Sequence, residues 1–175
     1  MNPLRADALR SVEAYEPADA GQREMRRRVL ELLGGREDAC RRSCEVGHVT
    51  VGIVVLDPDG RVLLTLHPKF GRWLQLGGHL EAGDGSVLAA AVREAAEESG
   101  IEGLALAPGI IDIDIHAVPC PQPGGAHHDL RFLAVAPAGA EPVRSAESLD
   151  LAWFDDLPAN TDESVARAVR AARRG

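Results

Sequence analysis

Helical periodicity dominates the start of the chain. Residues 4–33 predict two helices separated at Pro17. Asp19 is a typical cap for the second helix, which we expect to stop at Gly34 and Gly35. One face of that helix carries an apolar stripe of four residues: Met25, Val29, Leu32 and Leu33. The stripe has the spacing of a helix that docks on a neighbouring element.

Alternating apolar positions then predict a sheet. Two runs rich in β-branched residues, Thr50–Leu56 and Arg61–His67, flank the turn sequence DPDG and predict a hairpin. Further strands are predicted at 109–118, 129–136 and 149–154. In the first of these, isoleucines alternate with Asp112, Asp114 and His116, which predicts a half-buried strand. The segments 69–86 and 119–128 are rich in glycine or proline and predict loops.

Two more helices complete the pattern. The segment Ser86–Ser99 predicts a helix that stops at Gly100, and residues 161–174 predict a terminal helix. Helices and strands in this order predict an α/β fold, with helices on both faces of a mixed sheet. We expect an N-terminal helical extension at residues 1–45 and one domain at residues 46–175.

The charge is acidic and unevenly distributed. The 175 residues carry a formal net charge of −8, but residues 46–160 hold six basic and sixteen acidic side chains, a net charge of −10. Such a domain does not match the phosphate backbone of nucleic acid, whereas it is compatible with divalent cations. General solubility explains the same charge.

Three cysteines, Cys40, Cys44 and Cys120, are too few for a disulfide framework. Cys40, Cys44 and His48 are spaced four residues apart, which leaves a zinc site as an alternative. No fourth ligand follows, and Gly47 disfavours a helix through His48. We therefore favour free, buried thiols. The charged first residues and the short aliphatic run at 51–56 indicate neither a secretory signal nor a membrane span, so we expect a cytoplasmic protein.

Three carboxylates share one face of the helix predicted at Ser86–Ser99. Glu94, Glu97 and Glu98 are three and four residues apart and span about 100° of the helix circumference. Like charges at this spacing repel, yet hard cations such as Mg²⁺ prefer carboxylate oxygens. An exposed acidic face is the plain alternative. The glycine-rich segment just upstream, which lets backbone atoms approach a ligand closely, favours the metal site.

The stretch GGHLEAGDGSVLAAAVREAAEESGI, residues 77–101, resembles the signature of the Nudix hydrolase family. The matching positions in its second half are Arg93, Glu94, Ala95, Glu97, Glu98, Gly100 and Ile101. Three features depart from the signature. Asp84 stands where the family has Glu, one extra residue follows in the turn at Gly85 and Ser86, and Leu76 replaces a frequent proline.

The resemblance implies Mg²⁺- or Mn²⁺-dependent hydrolysis of a diphosphate bond in a nucleoside diphosphate derivative or a related organic pyrophosphate. It implies that the metal ligands are Glu94, Glu97, Glu98 and the carbonyl of Gly77. One of the glutamates would be the base that activates water, and Arg93 would orient a glutamate. We expect Asp84 to support Arg93 rather than bind metal. The expected partner is a small-molecule diphosphate, without nucleic acid or membrane, and homodimer formation stays open.

Substrate contacts are predicted from the few cations and aromatic rings near the signature. The candidates are Lys69, Arg72, Trp73, Arg131, His127 and His128. For the cations, ordinary surface or ion-pair charge is the alternative; for Trp73 it is the core, and for the histidines a turn cap. Glu147 is a candidate for an additional metal ligand from a late loop.

Two other functions remain open at the level of the sequence. Some relatives isomerise isopentenyl diphosphate with an additional acid and base, often a cysteine and a glutamate. Cys120 is the one cysteine outside the N-terminal segment that would serve this chemistry. The second alternative is a nucleotide-binding regulator without catalysis, although the complete set of Glu94, Glu97 and Glu98 disfavours it.

Overall fold

The computed structural model describes residues 2–118 and 125–174, where four helices pack on an eight-stranded mixed sheet. The helices are α1 (Pro3–Ala14), α2 (Ala20–Gly35), α3 (Val87–Ser99) and α4 (Glu163–Ala172). The strands are β1 (His48–Leu56), β2 (Val62–His67), β3 (Arg72–Leu74), β4 (Leu76–His79), β5 (Ala105–Leu106), β6 (Asp112–Val118), β7 (Gly125–Val135) and β8 (Asp150–Phe154). In this described part of the chain, no helix is long and apolar enough to cross a membrane.

Strand β1 is the centre of the sheet and is buried along its whole length. It pairs in parallel with β7 over nine residues, from His48 opposite His127 to Leu56 opposite Val135. On its other edge it pairs antiparallel with β4 and then with β2. Strand β7 also pairs antiparallel with β6 and β5, and β2 with β3 and β8. Strand β1 therefore has hydrogen-bonded neighbours on both edges, and β4 lies on the edge opposite β7.

Helices cover both faces of the sheet, which confirms the predicted α/β class. The larger hydrophobic core joins α1, α2 and α3 to one face, for example Val29 and Leu33 to Ile53. The smaller core joins Val165 and Val169 of α4 to the opposite face. Side chains alternate between the two faces of a strand, so β1 supplies both cores.

The N-terminal helices are packed into the larger core rather than projecting from it. The predicted apolar stripe of α2 contacts this core, with Val29 and Leu33 fully buried and Met25 and Leu32 partly buried. Gln22 adds a specific polar contact. Its side-chain amide donates to the carbonyl oxygen of Ile113 (3.0 Å) and accepts from the amide of Ile113 (2.9 Å). Helix α2 is therefore fixed on β6.

Local sequence signals set the helix ends. The Asp19 side chain accepts from the amide of Gln22 at the start of α2. Ser86 accepts from the amide of Ala89 at the start of α3, and Gly100 ends α3 with φ +66°. This left-handed conformation strains any residue with a Cβ atom, which explains the stop at glycine. The predicted hairpin and the predicted strands at 129–136 and 149–154 are also confirmed.

Two predicted loops are wrong in part. The segment 69–86 contains β3 and β4, and β7 begins at Gly125 within the segment predicted as loop 119–128. Residues 119–124, including Cys120, lie outside the described residues. The short strand β5 was not predicted. In each case distant strands supply the hydrogen-bonding partners, and glycine-rich sequence does not reveal such pairing.

The predicted half-buried character of β6 is also wrong at its start. Asp112 and Asp114 are buried, because α4 covers this face of the sheet. Arg167 of α4 donates to Asp112 at 2.7 Å and to Asp114 at 3.1 Å. These ion pairs compensate the two carboxylates for the contact with water that they lose on burial.

Candidate active site

The three predicted carboxylates of α3 line one cleft. Glu94, Glu97 and Glu98 face residues 145–147 across a cavity of about 250 Å³. Glu94 and Glu98 are half-buried, whereas Glu97 is exposed. The small buried residues Ala91 and Ala95 let the opposite side of α3 pack closely on the sheet. This packing directs the carboxylates toward the cleft and toward the end of β4.

The two glycines of β4 allow its backbone to touch these carboxylates. The amide of Gly77 donates to Glu98 Oε2 at 3.0 Å. A Cβ atom at Gly77 would lie 2.2 Å from the carbonyl oxygen of Val51, and φ there is +148°. A Cβ atom at Gly78 would lie 2.5 Å from Glu94 Oε2. Gly77 therefore requires glycine for its backbone geometry, whereas a Cβ atom at Gly78 would displace the Glu94 carboxylate.

Arg93 ties the site together from the helix side. Its guanidinium donates to Asp84 through Nε (3.0 Å) and Nη2 (3.1 Å), a two-pronged ion pair. Nη1 donates to Glu94 (3.0 Å) and Glu97 (3.1 Å), and Nη2 also donates to the carbonyl oxygen of His79 (2.9 Å). Arg93 therefore fixes two of the predicted metal ligands and the end of β4 at once.

Burial and mutual repulsion raise the pKa values of two carboxylates in the cleft. Burial raises the pKa of Glu98 to about 7; the hydrogen bond from Gly77 opposes this shift, and the charges of Glu94 and Glu147 add to it. Burial also raises the pKa of Glu94, against the effect of Arg93. Several carboxylates held this close without a cation disfavour their own ionisation. An oxygen donor set of this kind fits Mg²⁺ or Mn²⁺.

Glu147 joins this group from the loop before β8. It lies 49 residues after Glu98 in the sequence, yet lines the same cleft. Its charge contributes to the raised pKa of both Glu94 and Glu98. Glu147 therefore stays a candidate for an additional metal ligand.

Asp84 contacts Arg93, which leads to a prediction about its role. Its side chain accepts from Arg93 and from the amide of Glu81 (2.7 Å). Asp84→Asn should weaken the ion pair with Arg93. We expect the hydrolysis rate to fall by about ten- to a hundredfold, the loss typical of changing a residue that supports a metal ligand without binding the metal itself. Steady-state rates at saturating Mg²⁺ measure the effect.

Deletion of Gly85 tests the role of the extra residue in the same assay. Gly85 is exposed, and a Cβ atom there would contact nothing within 4 Å, so packing does not require glycine at this position. The deletion shortens the connection between Asp84 and the helix cap Ser86. We expect a loss at least as large as for Asp84→Asn. An unchanged rate after the deletion, with activity abolished by Asp84→Asn, would make Asp84 a direct metal ligand.

Three of the predicted substrate residues lie together on the β2–β3 hairpin. Lys69 is exposed and places its ammonium 5.6 Å from the ring of Phe70. Arg72 pairs with Asp162 at the surface (2.9 Å). Trp73 is half-buried, and its ring packs edge-on against Phe154. None of the three lines the carboxylate cleft in the described part of the chain.

Arg131 lies in the interior, where carboxylates surround it. It is 2% exposed and pairs with three carboxylates: Asp129 (2.9 Å), Asp112 (3.2 Å) and Asp114 (3.5 Å). It also donates to the hydroxyl and the carbonyl oxygen of Ser164 at the start of α4. Sequence reasoning missed this buried network; the alternation of aspartates in β6 was its only visible signal.

The two predicted histidines separate in the structure. His127 stands beside His48 and His79, with ring centroids 4.8 Å and 5.1 Å away. His128 is buried on the opposite face of β7. Cys40 and Cys44 are free, buried thiols, and within the described residues His48 groups with histidines rather than with these cysteines.

Comparison with known proteins agrees with the fold. A family model described as NUDIX domain matches residues 46–169. A NUDIX-family hydrolase from Clostridium perfringens shares 27% identity and a TM-score of 0.58, covering 73% of this chain and 97% of its own. A MutT NUDIX hydrolase from Burkholderia pseudomallei shares 26% identity and a TM-score of 0.51, covering 70% and 95%. The dihydroneopterin triphosphate pyrophosphohydrolase of E. coli, at 20% identity and a TM-score of 0.61, covers 73% and 96% and supports the fold alone.

The chain belongs to the Nudix family, which confirms the resemblance seen in residues 77–101. It is an enzyme of the Nudix pyrophosphohydrolase type. Members of this family act on nucleoside diphosphate derivatives and generally use divalent metal ions. No curated protein matches the sequence significantly.

Proposed function

We propose that this enzyme hydrolyses a diphosphate bond in a nucleoside diphosphate derivative or a related organic pyrophosphate, in a reaction that depends on Mg²⁺ or Mn²⁺. The observation that carries the proposal is the cleft lined by Glu94, Glu97 and Glu98, in which Glu98 accepts from the amide of Gly77. Family membership supplies the class of reaction, and the cleft supplies oxygen ligands of the type that hard cations prefer.

The proposed roles follow from the contacts. Glu94, Glu97, Glu98 and the Gly77 carbonyl would hold the cation, with Glu147 as an additional ligand from the facing loop. A bound Mg²⁺ or Mn²⁺ would neutralise the diphosphate and lower the pKa of a water molecule. Arg93 keeps Glu94 and Glu97 oriented, and Asp84 keeps Arg93 in place. One of the carboxylates accepts the proton of the attacking water.

The substrate-contact residues stay a prediction. Lys69, Arg72 and Trp73 form a group of two cations and an aromatic ring on one hairpin, which suits a phosphate and a base. His127 remains a further candidate for substrate contact. The burial of Arg131 and His128 disfavours direct substrate contact for these two residues.

Two alternatives are distinguished by the products. An isopentenyl-diphosphate-isomerase-like enzyme would shift a carbon–carbon double bond without releasing phosphate. A nucleotide-binding regulator would bind the same ligands without turnover. The acidic cleft disfavours a regulator without turnover, because it gathers ligands for a catalytic metal, and Cys120 is the one cysteine outside the N-terminal segment that would serve an isomerase.

Metal dependence is the direct test of the proposal. The purified protein should release phosphate or a nucleotide from at least one nucleoside diphosphate derivative in the presence of Mg²⁺ or Mn²⁺. Dihydroneopterin triphosphate belongs in the panel because of the E. coli neighbour. Exhaustive chelation should abolish turnover, and added Mg²⁺ should restore it. Full turnover after chelation would contradict the metal role, and isomerisation without hydrolysis would favour the first alternative.

A further inference from the structure

Three histidines from distant parts of the sequence meet at one corner of the sheet. His48 begins β1, His79 ends β4 and His127 lies near the start of β7. His48 is directly opposite His127 in the parallel β1–β7 pair, and His79 is opposite Thr50 in the antiparallel β1–β4 pair. Each residue offers one ligand atom, and these atoms all lie within 4.8 Å of one another. The register of the β1–β7 and β1–β4 pairs therefore brings the three histidines together.

Four ring nitrogens of this cluster are buried without a hydrogen-bond partner among the residues that the structure describes. They are both nitrogens of His48, Nε2 of His79 and Nε2 of His127. His48 is 1% exposed. A buried polar atom without a partner typically costs about 1–3 kcal/mol, so four of them at one place need an explanation. A bound ion that accepts one lone pair from each of the three rings would satisfy three of the four.

The chemistry of the cluster differs from that of the carboxylate cleft. Imidazole nitrogen suits zinc and neighbouring transition metals, whereas carboxylate oxygen suits Mg²⁺ and Mn²⁺. Burial lowers the pKa of His48 to about 4 and that of His127 to about 3, with the neighbouring histidines adding to the shift. These two rings are therefore neutral near pH 7, the form that binds metal.

The spacing is close to that of a metal site and needs only a small contraction. Zinc–nitrogen bonds are about 2.0–2.1 Å long, which places tetrahedral ligands about 3.3–3.4 Å apart. The histidine ligand atoms would have to approach by up to roughly 1.5 Å, a distance that rotation of the rings supplies. Three protein ligands leave one position of the tetrahedron for water or another small ligand.

We propose that His48, His79 and His127 bind one divalent transition-metal ion, with Zn²⁺ as the preferred ion, at a site separate from the carboxylate cleft. The ion would crosslink the start of β1, the end of β4 and the start of β7. His79 follows Gly78 directly, and its carbonyl oxygen accepts from Arg93. The site would therefore also stabilise the strand whose glycines touch Glu94 and Glu98.

Zinc binding in the presence of excess Mg²⁺ tests this proposal. Excess Mg²⁺ competes with Zn²⁺ for the oxygen ligands of the cleft, and the histidine variants below report the nitrogen ligands. Calorimetry with metal-free protein should give about one Zn²⁺ per chain. Co²⁺ in place of Zn²⁺ should give the intense visible absorption of a tetrahedral site. Failure of the unmodified protein to bind Zn²⁺ would overturn the proposal without any variant.

Matched histidine variants locate the ion. His79→Gln and, separately, His127→Gln should each weaken Zn²⁺ binding by at least about a hundredfold. This exceeds the loss typical of removing a residue that only hydrogen-bonds to a metal ligand. His67→Gln is the control, because His67 stacks near Phe70 on the β2–β3 hairpin and lies outside the cluster. It should bind Zn²⁺ as the unmodified protein does. Unchanged binding in both cluster variants would overturn the proposal.

A second readout separates metal binding from folding and from the cysteines. Zn²⁺ at a hundred times its Kd should raise the unfolding free energy of the unmodified protein by about 2.7 kcal/mol and raise its Tm, with no such rise in His127→Gln. Circular dichroism of the metal-free variants checks that they fold. A sulfur-to-cobalt charge-transfer band would assign the ion to Cys40, Cys44 or Cys120 and overturn the histidine site.

Discussion

Replacing Glu98 with Gln is expected to lower the hydrolysis rate by about a hundredfold or more, the loss typical of removing a key electrostatic group. Glu98 is the most deeply placed of the cleft carboxylates, and its Oε2 accepts from Gly77. Glutamine keeps the shape and one oxygen acceptor but removes the charge that a divalent cation requires. We expect Glu97→Gln to have an effect of the same order. The measurement is kcat at saturating substrate and Mg²⁺.

The fold of Glu98→Gln should survive. Burial already disfavours the ionised carboxyl, as its raised pKa shows, so that a neutral amide relieves repulsion with Glu94 and Glu147. The unfolding free energy should remain equal or rise. Glu102→Gln is the matched control, because Glu102 is exposed just beyond the end of α3, and its rate should be unchanged. Near-normal rates in both the Glu97 and the Glu98 variants would show that these residues do not hold the metal.

Arg131→Met is expected to destabilise the folded protein by about 3–5 kcal/mol, because it leaves three buried aspartates without their shared cation. Arg131 is 2% exposed and lies within 3.5 Å of Asp112, Asp114 and Asp129. Arg167 compensates Asp112 and Asp114 in part, while Asp129 would keep only its neutral partners Thr50 and Gln75. Equilibrium unfolding in guanidinium chloride at pH 7 measures the loss.

A surface arginine and the kinetics together test this interpretation of Arg131. Arg27→Met removes an exposed pair with Glu24 and Glu31 on α2 and should leave the unfolding free energy nearly unchanged. A stable Arg131→Met variant with a strongly raised KM would instead assign Arg131 to the substrate phosphate. The predicted combination is low stability, with a KM close to normal in the fraction that remains folded.

The carboxylates of α3 could be predicted because their geometry is local. Glu94, Glu97 and Glu98 need only the period of a helix to share a face, and α3 is defined by its cap at Ser86 and its stop at Gly100. The two-pronged pair of Asp84 with Arg93 also joins residues only nine positions apart. The extra residue in the turn did not disturb this contact.

The positions of the remaining charged and aromatic residues required the fold. Arg131 looked like a free cation in an acidic domain, yet β6 and α4 enclose it with aspartates. A strand pattern reports which residues share a face, but it does not report which distant element covers that face. For the same reason Asp112 and Asp114 were expected at a half-exposed surface and are buried.

By itself, the sequence determined the family, the four helices and five of the eight strands that the structure describes, and the row of carboxylates, since each depends on residues close together in the chain. Only the tertiary structure decided that Glu147 reaches the same cleft and that Gly77 lies against Glu98. It also decided that His48, His79 and His127 meet. These contacts depend on strand register and helix packing, in which residues 21 to 79 positions apart become neighbours because β1 pairs with both β4 and β7.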